Sequence, residues 1–201
     1  MSETMSRRQA LFMTAGTLGT AMLGAAAISG KASAATMGKE PADSTFDTEM
    51  VLKILVKLGE TEDMGESADG HRINYPIIGG TFTGKGMKGT VIPGGADMSV
   101  RRNDGVTWVD ALYRLRTDDG QVIIIHNAGI WRPNEDGLRK LQAGEKLEEK
   151  DYYCLTSPYF RTPPGKHAWM SQYIYVGTID DVSENEVLIK CYTVRQKNAA
   201  L

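Results

Sequence analysis

The sequence predicts an all-β fold, one antiparallel barrel or sandwich. Three observations predict it. Apolar residues recur at every second position in about eight separate segments, the period of a strand with one buried face. Asp104-Gly105 and Asp119-Gly120 mark tight turns between such segments. The connections leave no room for the crossover helices that a parallel sheet needs.

The first strand lies in "DTEMVLKILVKLGE", with Met50, Leu52, Ile54, Val56 and Leu58 on one face. "HRINYPIIGGTFTG" follows, interrupted by Pro76 and Gly79-Gly80, and then "MKGTVIPGGADMSVRR". "VTWVDALYRLRT" sets Val109, Ala111, Tyr113 and Leu115 against Asp110, Arg114 and Arg116. "QVIIIHNAGIW" is apolar on both faces, the pattern of a strand buried on both. "NEDGLRKLQAGEK" is polar, with Leu138 and Leu141 three apart, and predicts one short helix. "KDYYCLTSPYFRT", "AWMSQYIYVGTI" and "NEVLIKCYTVRQ" complete the strands.

The N-terminus predicts export. Ser6-Arg7-Arg8-Gln9-Ala10-Leu11 fits a twin-arginine signal, and an apolar Gly- and Ala-rich stretch runs to Ile28. Ala32-Ser33-Ala34 fits a cleavage site. The alternative is an uncleaved anchor, for which the many Gly, Ala and Thr residues make a weak span. The expected organisation is a twin-arginine signal at 1–34, a flexible linker at 35–46 and a barrel domain at 47–197. The twin-arginine export machinery is then a partner, and the destination is the periplasm or the exterior.

The chain of 201 residues carries 23 basic and 25 acidic residues. The signal holds Arg7, Arg8, Lys31 and Glu3, which leaves 20 basic and 24 acidic residues and a net charge of −4. That balance, with no basic aromatic patch, excludes a nucleic-acid partner. No haem, iron–sulfur or dinucleotide motif is present, so no cofactor is expected. His71, His126 and His167 share no metal-ligand spacing. Cys154 and Cys191 fall in strand-like runs. The periplasm permits a disulfide between them, and folding before export favours thiols.

"GKGMKGTVIPGGADMSVRRNDG", "DALYRLRTDDGQVIIIHNAG", "YFRTPP" and "AWMSQYIYVG" resemble, in order, the motifs of the domain of unknown function 3237 family, also called uncharacterised protein family 311. The resemblance spans residues 47–196. It implies a calycin-like antiparallel β-barrel of about eight strands, and it brings no mechanism. Met98 stands at a usual Trp position, Met170-Ser171 replace Leu-Asn, Trp131 follows the N-x-G segment, and the loop between Arg161 and Trp169 is short. These departures are expected at the rim of a pocket.

A small barrel either fills its interior or holds one small ligand. Asp97, Tyr113 and Asn127 are expected to converge at one end. Arg132 or Arg161 would add a cation, Trp169 would close the mouth, and Gly94, Gly95 and Gly129 would leave space. Each has a structural alternative. Asp97 can stabilise its own turn, Tyr113 can be core, Asn127 can pin a strand, and Arg161 can pair with Asp97 to hold the barrel shut. Three functions follow. The first is binding of a small apolar or aromatic organic molecule. The second is cofactor-independent acid–base catalysis by Asp97 and Tyr113, with Asn127 and Arg161 steadying an oxyanion. The third is a structural barrel with a filled interior. The long first strand raises the possibility of a homodimer.

Overall fold

The computed structural model describes residues 45–197. The expected signal at 1–34 and all but the last two residues of the expected linker at 35–46 lie outside these residues.

Nine antiparallel strands form the sheet: β1 (Phe46–Leu58), β2 (Glu62–Ser67), β3 (Gly70–Gly84), β4 (Met87–Arg101), β5 (Thr107–Thr117), β6 (Val122–Pro133), β7 (Tyr152–Arg161), β8 (Ile174–Ser183) and β9 (Glu186–Gln196). One helix, α1 (Glu135–Ala143), joins β6 to β7. The strands follow the order β1-β9-β8-β7-β6-β5-β4-β3-β2, and β1 also pairs with β3. Eight strands therefore close into a barrel, as expected, and β2 lies on β3 as a flap. The sequence reading missed β2 because its residues are polar and exposed, with no buried face to leave a pattern.

The alternation shifts within β1. Residue pairing to β9 skips between Met50 and Leu52, so Val51 is a bulge. Val51, Leu52, Ile54 and Val56 are buried, while Met50 turns outward. β1 is paired on both sides over Leu52–Lys57, so that part of the long strand has no open edge to offer a second copy. β6 corrects another expectation. Ile123, Ile125 and Asn127 are buried, but Val122, Ile124 and His126 face outward. Its outer apolar face belongs to an exposed wall with Met98, Trp108, Leu112 and Tyr159.

Two sharp bends shape the wall. The β3–β4 register shifts between Ile77 and Thr81, and the β4–β5 register between Ile92 and Ala96. The Gly79-Gly80 and Gly94-Gly95 pairs occupy these bends. Gly80 has a φ of +136°, and a Cβ there would lie 2.0 Å from the Leu55 carbonyl oxygen. Only glycine lets β3 close against β1 at that point.

The two barrel ends differ. The β2–β3, β4–β5, β6–β7 and β8–β9 connections share one end, here the upper, and the β3–β4, β5–β6 and β7–β8 connections share the lower. The lower half is packed. Tyr113, Phe160, Tyr175, Phe82 and Met170 are fully buried. Phe160 and Tyr175 meet edge to face at 4.8 Å, and the Tyr175 hydroxyl donates to the Met170 carbonyl at 2.9 Å. Residues 168–172, expected to open a strand, instead form a short 3-10 turn that plugs this end.

At the upper end α1 starts where Asn134 accepts the Gly137 N–H at 2.8 Å and stops at Gly144 in a left-handed conformation. Lys140 pairs with the buried Asp151 at 2.7 Å, tying the helix to the start of β7. Cys154 and Cys191 are both buried and are not joined by a disulfide.

Candidate functional site

Strand alternation turns Asp97 of β4, Val109, Ala111 and Tyr113 of β5, and Asn127 of β6 to the interior. Strand pairing then aligns them. Tyr75 pairs with Asp97, Asp97 with Ala111, Ala111 with Asn127, and Asn127 with Pro158, which makes one rung across five strands. Tyr113 lies on the next rung toward the lower end, opposite Ile125.

A cavity of about 40 Å³ opens between this rung and the upper end. Asp97, Tyr113, Asn127 and Tyr75 supply its polar wall, and residues such as Val56, Ile77, Val109, Ile179 and Ile189 its apolar wall. The exposed residues Asp181, Ser183 and Glu184, around the β8–β9 turn, form the mouth.

The polar groups differ in how they are satisfied. The Asp97 carboxylate accepts the Asp110 backbone N–H and the Ser99 hydroxyl, each at 3.0 Å. Tyr113 is 1% exposed and Asn127 is not exposed at all. The Tyr113 hydroxyl and both polar atoms of the Asn127 amide have no hydrogen-bond partner among the described residues. Such a buried group costs about 1–3 kcal/mol when left unpaired. Burial raises the Tyr113 pKa well above the ordinary tyrosine value, with smaller contributions from Cys191 and the Asp97 charge. Tyr113 is therefore a neutral donor. Cys191 lies behind it, its thiol pushed up to about 12 by burial, and is an inert core residue.

The structure brings together Asp97, Tyr113 and Asn127, and it separates them from the other expected site residues. Arg161 lies on the outer face of β7, its guanidinium 5.7 Å from the centre of the Tyr159 ring. It forms no ion pair with Asp97. Arg132 is likewise outside, over Tyr153. Trp169 belongs to the lower plug and packs edge-on to Tyr173 at 6.3 Å. Alternation itself carries the reason for both arginines. Phe160 and Trp131 point inward, so Arg161 and Arg132 point outward.

The glycines are corrected too. A Cβ on Gly95 would lie 2.4 Å from the Tyr113 Cβ, and one on Gly129 would lie 2.5 Å from the Thr156 Cα. These glycines permit close packing and leave no open space. Gly94 lies at the exposed bend with a φ of +91°. The four departures from the family motifs also miss the rim. Met98 faces outward, Met170 and Ser171 lie in the plug, and Trp131 is buried beside Tyr152 at 5.9 Å. The loop between Arg161 and Trp169 is at the lower end.

Sequence reasoning missed Tyr75, Asp181, Ser183 and Glu184. Tyr75 had a signal, since Ile73, Tyr75 and Ile77 alternate around it. The mouth residues belong to an exposed turn whose place over the barrel depends on closure. Among the described residues no group of three or more His, Cys, Asp or Glu is arranged to hold a metal ion.

The same architecture occurs in known proteins. An uncharacterised UPF0311 protein of Rhodopseudomonas palustris is 37% identical over 134 residues, 67% of this chain and 88% of the relative. One from Clostridium acetobutylicum is 37% identical over 125 residues, 62% of this chain and 78% of the relative. The crystal structure of a conserved R. palustris protein of unknown function has a TM-score of 0.69 at 32% identity, covering 75% of this chain and 99% of that one. A β-barrel-like protein from Acinetobacter baumannii has a TM-score of 0.66 at 31% identity, covering 75% and 96%. The structure of an enzyme from Penicillium herquei shares the fold, with a TM-score of 0.59 at 20% identity, covering 79% and 100%. The family profile described as "protein of unknown function (DUF3237)" matches residues 46–194, and with these relatives it shows that the chain belongs to the DUF3237 family.

Proposed function

We propose that this protein binds a small organic molecule at the upper end of its barrel. One observation carries the reading. Two fully buried polar side chains, Tyr113 and Asn127, line a cavity and have no hydrogen-bond partner among the described residues. Buried polar groups are normally paired, so a wall of this kind supports a ligand that pairs them. The cavity volume sets the binding mode. About 40 Å³ is well below the roughly 150 Å³ that holds a benzene ring. It admits the polar tip of a ligand, with the apolar body in the mouth.

Acid–base catalysis is the second reading, favoured by the presence of Asp97 and Tyr113 in one cavity. The geometry supports it less. Asp97 Oδ1 already accepts two hydrogen bonds, and among the described residues no cation lines the cavity to steady an oxyanion. A wholly filled barrel accounts for the lower half and leaves the unpaired Tyr113 and Asn127 unexplained.

A thermal-shift screen of small phenols, alcohols and amines tests the binding reading. Hits should weaken in Tyr113→Phe and in Asn127→Leu. A panel without hits, or hits indifferent to both substitutions, counts against it. The signal motif supports delivery to the periplasm or beyond through the twin-arginine machinery. Replacing Arg7 and Arg8 by Lys should hold the protein in the cytoplasmic fraction.

A further inference from the structure

The outside of the barrel has two unlike sides. Along β1, β8 and β9 it carries paired charges: Lys57 with Glu186 at 3.9 Å, Lys190 with Asp180 at 2.7 Å, and Arg195 with Glu49 at 2.8 Å. Along β4 to β7 it is apolar. Met98, Trp108, Leu112, Ile124, Leu155 and Tyr159 are each 37–57% exposed there.

Register makes these six residues one surface. Trp108 and Leu155 share a rung with Val100 and Ile130, and Leu112 and Tyr159 share another with Ala96 and His126. Met98, Asp110, Ala128 and Ser157 lie between these two rungs. Arg114, Ile124 and Arg161 form the rung below. Four strands and four rungs cover about 19 Å by 27 Å, roughly 500 Å² in projection before side-chain relief is added. A stable pair of proteins needs roughly 800 Å² of accessible surface from each partner, which is the same scale. Scattered exposed apolar residues need no cover, whereas a contiguous face of this extent marks a contact surface. Its composition agrees. Trp, Tyr, Met and Arg are enriched at protein contacts, and Lys and Glu, which are depleted there, are absent from these outward positions.

The charges on the wall select the partner. Asp110 and Arg114 stand on β5, two residues to either side of Leu112. The Arg114 guanidinium donates to the Pro93 carbonyl at 2.9 Å and forms no ion pair among the described residues. A two-fold axis crossing β5 at Leu112 sets Leu112 against its own copy and each Asp110 against the other copy's Arg114. Asp110 can keep His126 at 2.5 Å through one carboxylate oxygen and accept the arginine at the other. The surface thus supplies both halves of its own charge pair, and an acid at its centre opposes an anionic lipid surface. We propose that the β4–β7 wall is the contact face of a homodimer, with the two-fold axis at Leu112. The contact lies outside the barrel and is independent of the cavity.

Sedimentation velocity of the purified protein from about 1 to 100 μM tests this, a range in which a standard-sized interface is populated. A dimer should form. Leu112→Asp should weaken it about tenfold or more, the loss expected at the centre of a contact, and Tyr159→Glu on the same rung should also weaken it. Both side chains are exposed, so the melting temperature should hold in each variant. Asp110→Arg alone and Arg114→Asp alone set like charges together and should each cost about tenfold, while the double swap should recover the dimer. A protein that stays monomeric throughout overturns the proposal. So does a dimer indifferent to Leu112→Asp and Tyr159→Glu. A double swap no better than either single variant rules out the axis at Leu112. A monomer that cosediments with phosphatidylglycerol vesicles assigns the wall to lipid instead of a second copy.

Discussion

The Asp97 carboxylate on β4 accepts the backbone N–H of Asp110 on β5 at 3.0 Å. The bond lies just above the point where the β4–β5 register slips between Ile92 and Ala96. A side chain therefore ties the two strands where the ladder is interrupted. Asp97→Ala should cost about 1.5–3 kcal/mol in urea unfolding, the usual range for a hydrogen bond to a charged group. Asp97→Asn keeps an acceptor oxygen and should cost less. An unaltered unfolding midpoint in Asp97→Ala would remove the structural role.

Tyr113→Phe separates ligand binding from stability. The hydroxyl is buried and has no hydrogen-bond partner among the described residues, so its removal takes away a polar atom unpaired there. Stability without ligand should hold or rise, by up to about 1–3 kcal/mol. Stabilisation by any bound molecule should fall. A large loss of stability in the ligand-free variant would show that the hydroxyl has a structural partner after all.

Gly95 and Gly65 should respond differently to alanine. At Gly95 the new Cβ would lie 2.4 Å from the Tyr113 Cβ and 2.7 Å from the Leu112 carbonyl oxygen. The fold must move to admit it, at a cost of about 3 kcal/mol or more. At Gly65 nothing lies within 4 Å, and only the left-handed φ of +79° opposes the change. That substitution should cost about 1–2 kcal/mol. Equal losses in denaturant titrations would contradict the close-approach argument.

Acid should loosen α1 and the loop that leads to the lower plug. Asp151 is held below its ordinary value of 3.8 by hydrogen bonds from Lys140 and then from the Glu148 backbone N–H. Asp119 is held below the same value by Lys166 and then Thr117. A carboxylate lowered in the folded state stabilises fully above the unfolded value and loses that contribution as pH falls through the folded one. The melting temperature should therefore be insensitive to these groups above about pH 4 and decline below it. In Asp151→Asn and Asp119→Asn the acid decline should be shallower. An undiminished decline in both would place the acid sensitivity elsewhere.

The β7–β8 seam should open first. It registers a single residue pair, Thr156 with Gly177, against ten between β6 and β7. Pro158 contributes no N–H to a ladder, and Gly177 crowds against Thr156 and Pro158. Hydrogen exchange should be faster for a peptide covering 174–183 than for one covering 122–133. The reverse order would show that the seam is held by contacts other than its ladder.

Much of this protein is legible one residue at a time. Alternation placed Val109, Ala111, Tyr113 and Leu115 on a buried face, and Asp104-Gly105 and Asp119-Gly120 at turns. β2 was illegible because a strand exposed along most of its length has no apolar period to read. Arg132 and Arg161 were assigned inward on their chemistry, although Trp131 and Phe160 beside them already required the reverse. Val51 shows the limit of alternation, since one bulged residue reset the faces of β1.

By itself the sequence determined the antiparallel all-β class, its strands apart from β2 and the family motifs that imply a barrel, and it offered Asp97, Tyr113 and Asn127 as candidates for the interior. These follow from the two-residue period and from turn chemistry, which act over a few residues. Only the tertiary structure decided that Asp97 and Asn127 share a rung, that glycines fill rather than open the interior, and that Asp181 and Glu184 stand at the mouth. Those outcomes depend on strand register and barrel closure, which join residues far apart in the chain and are reset by each bulge.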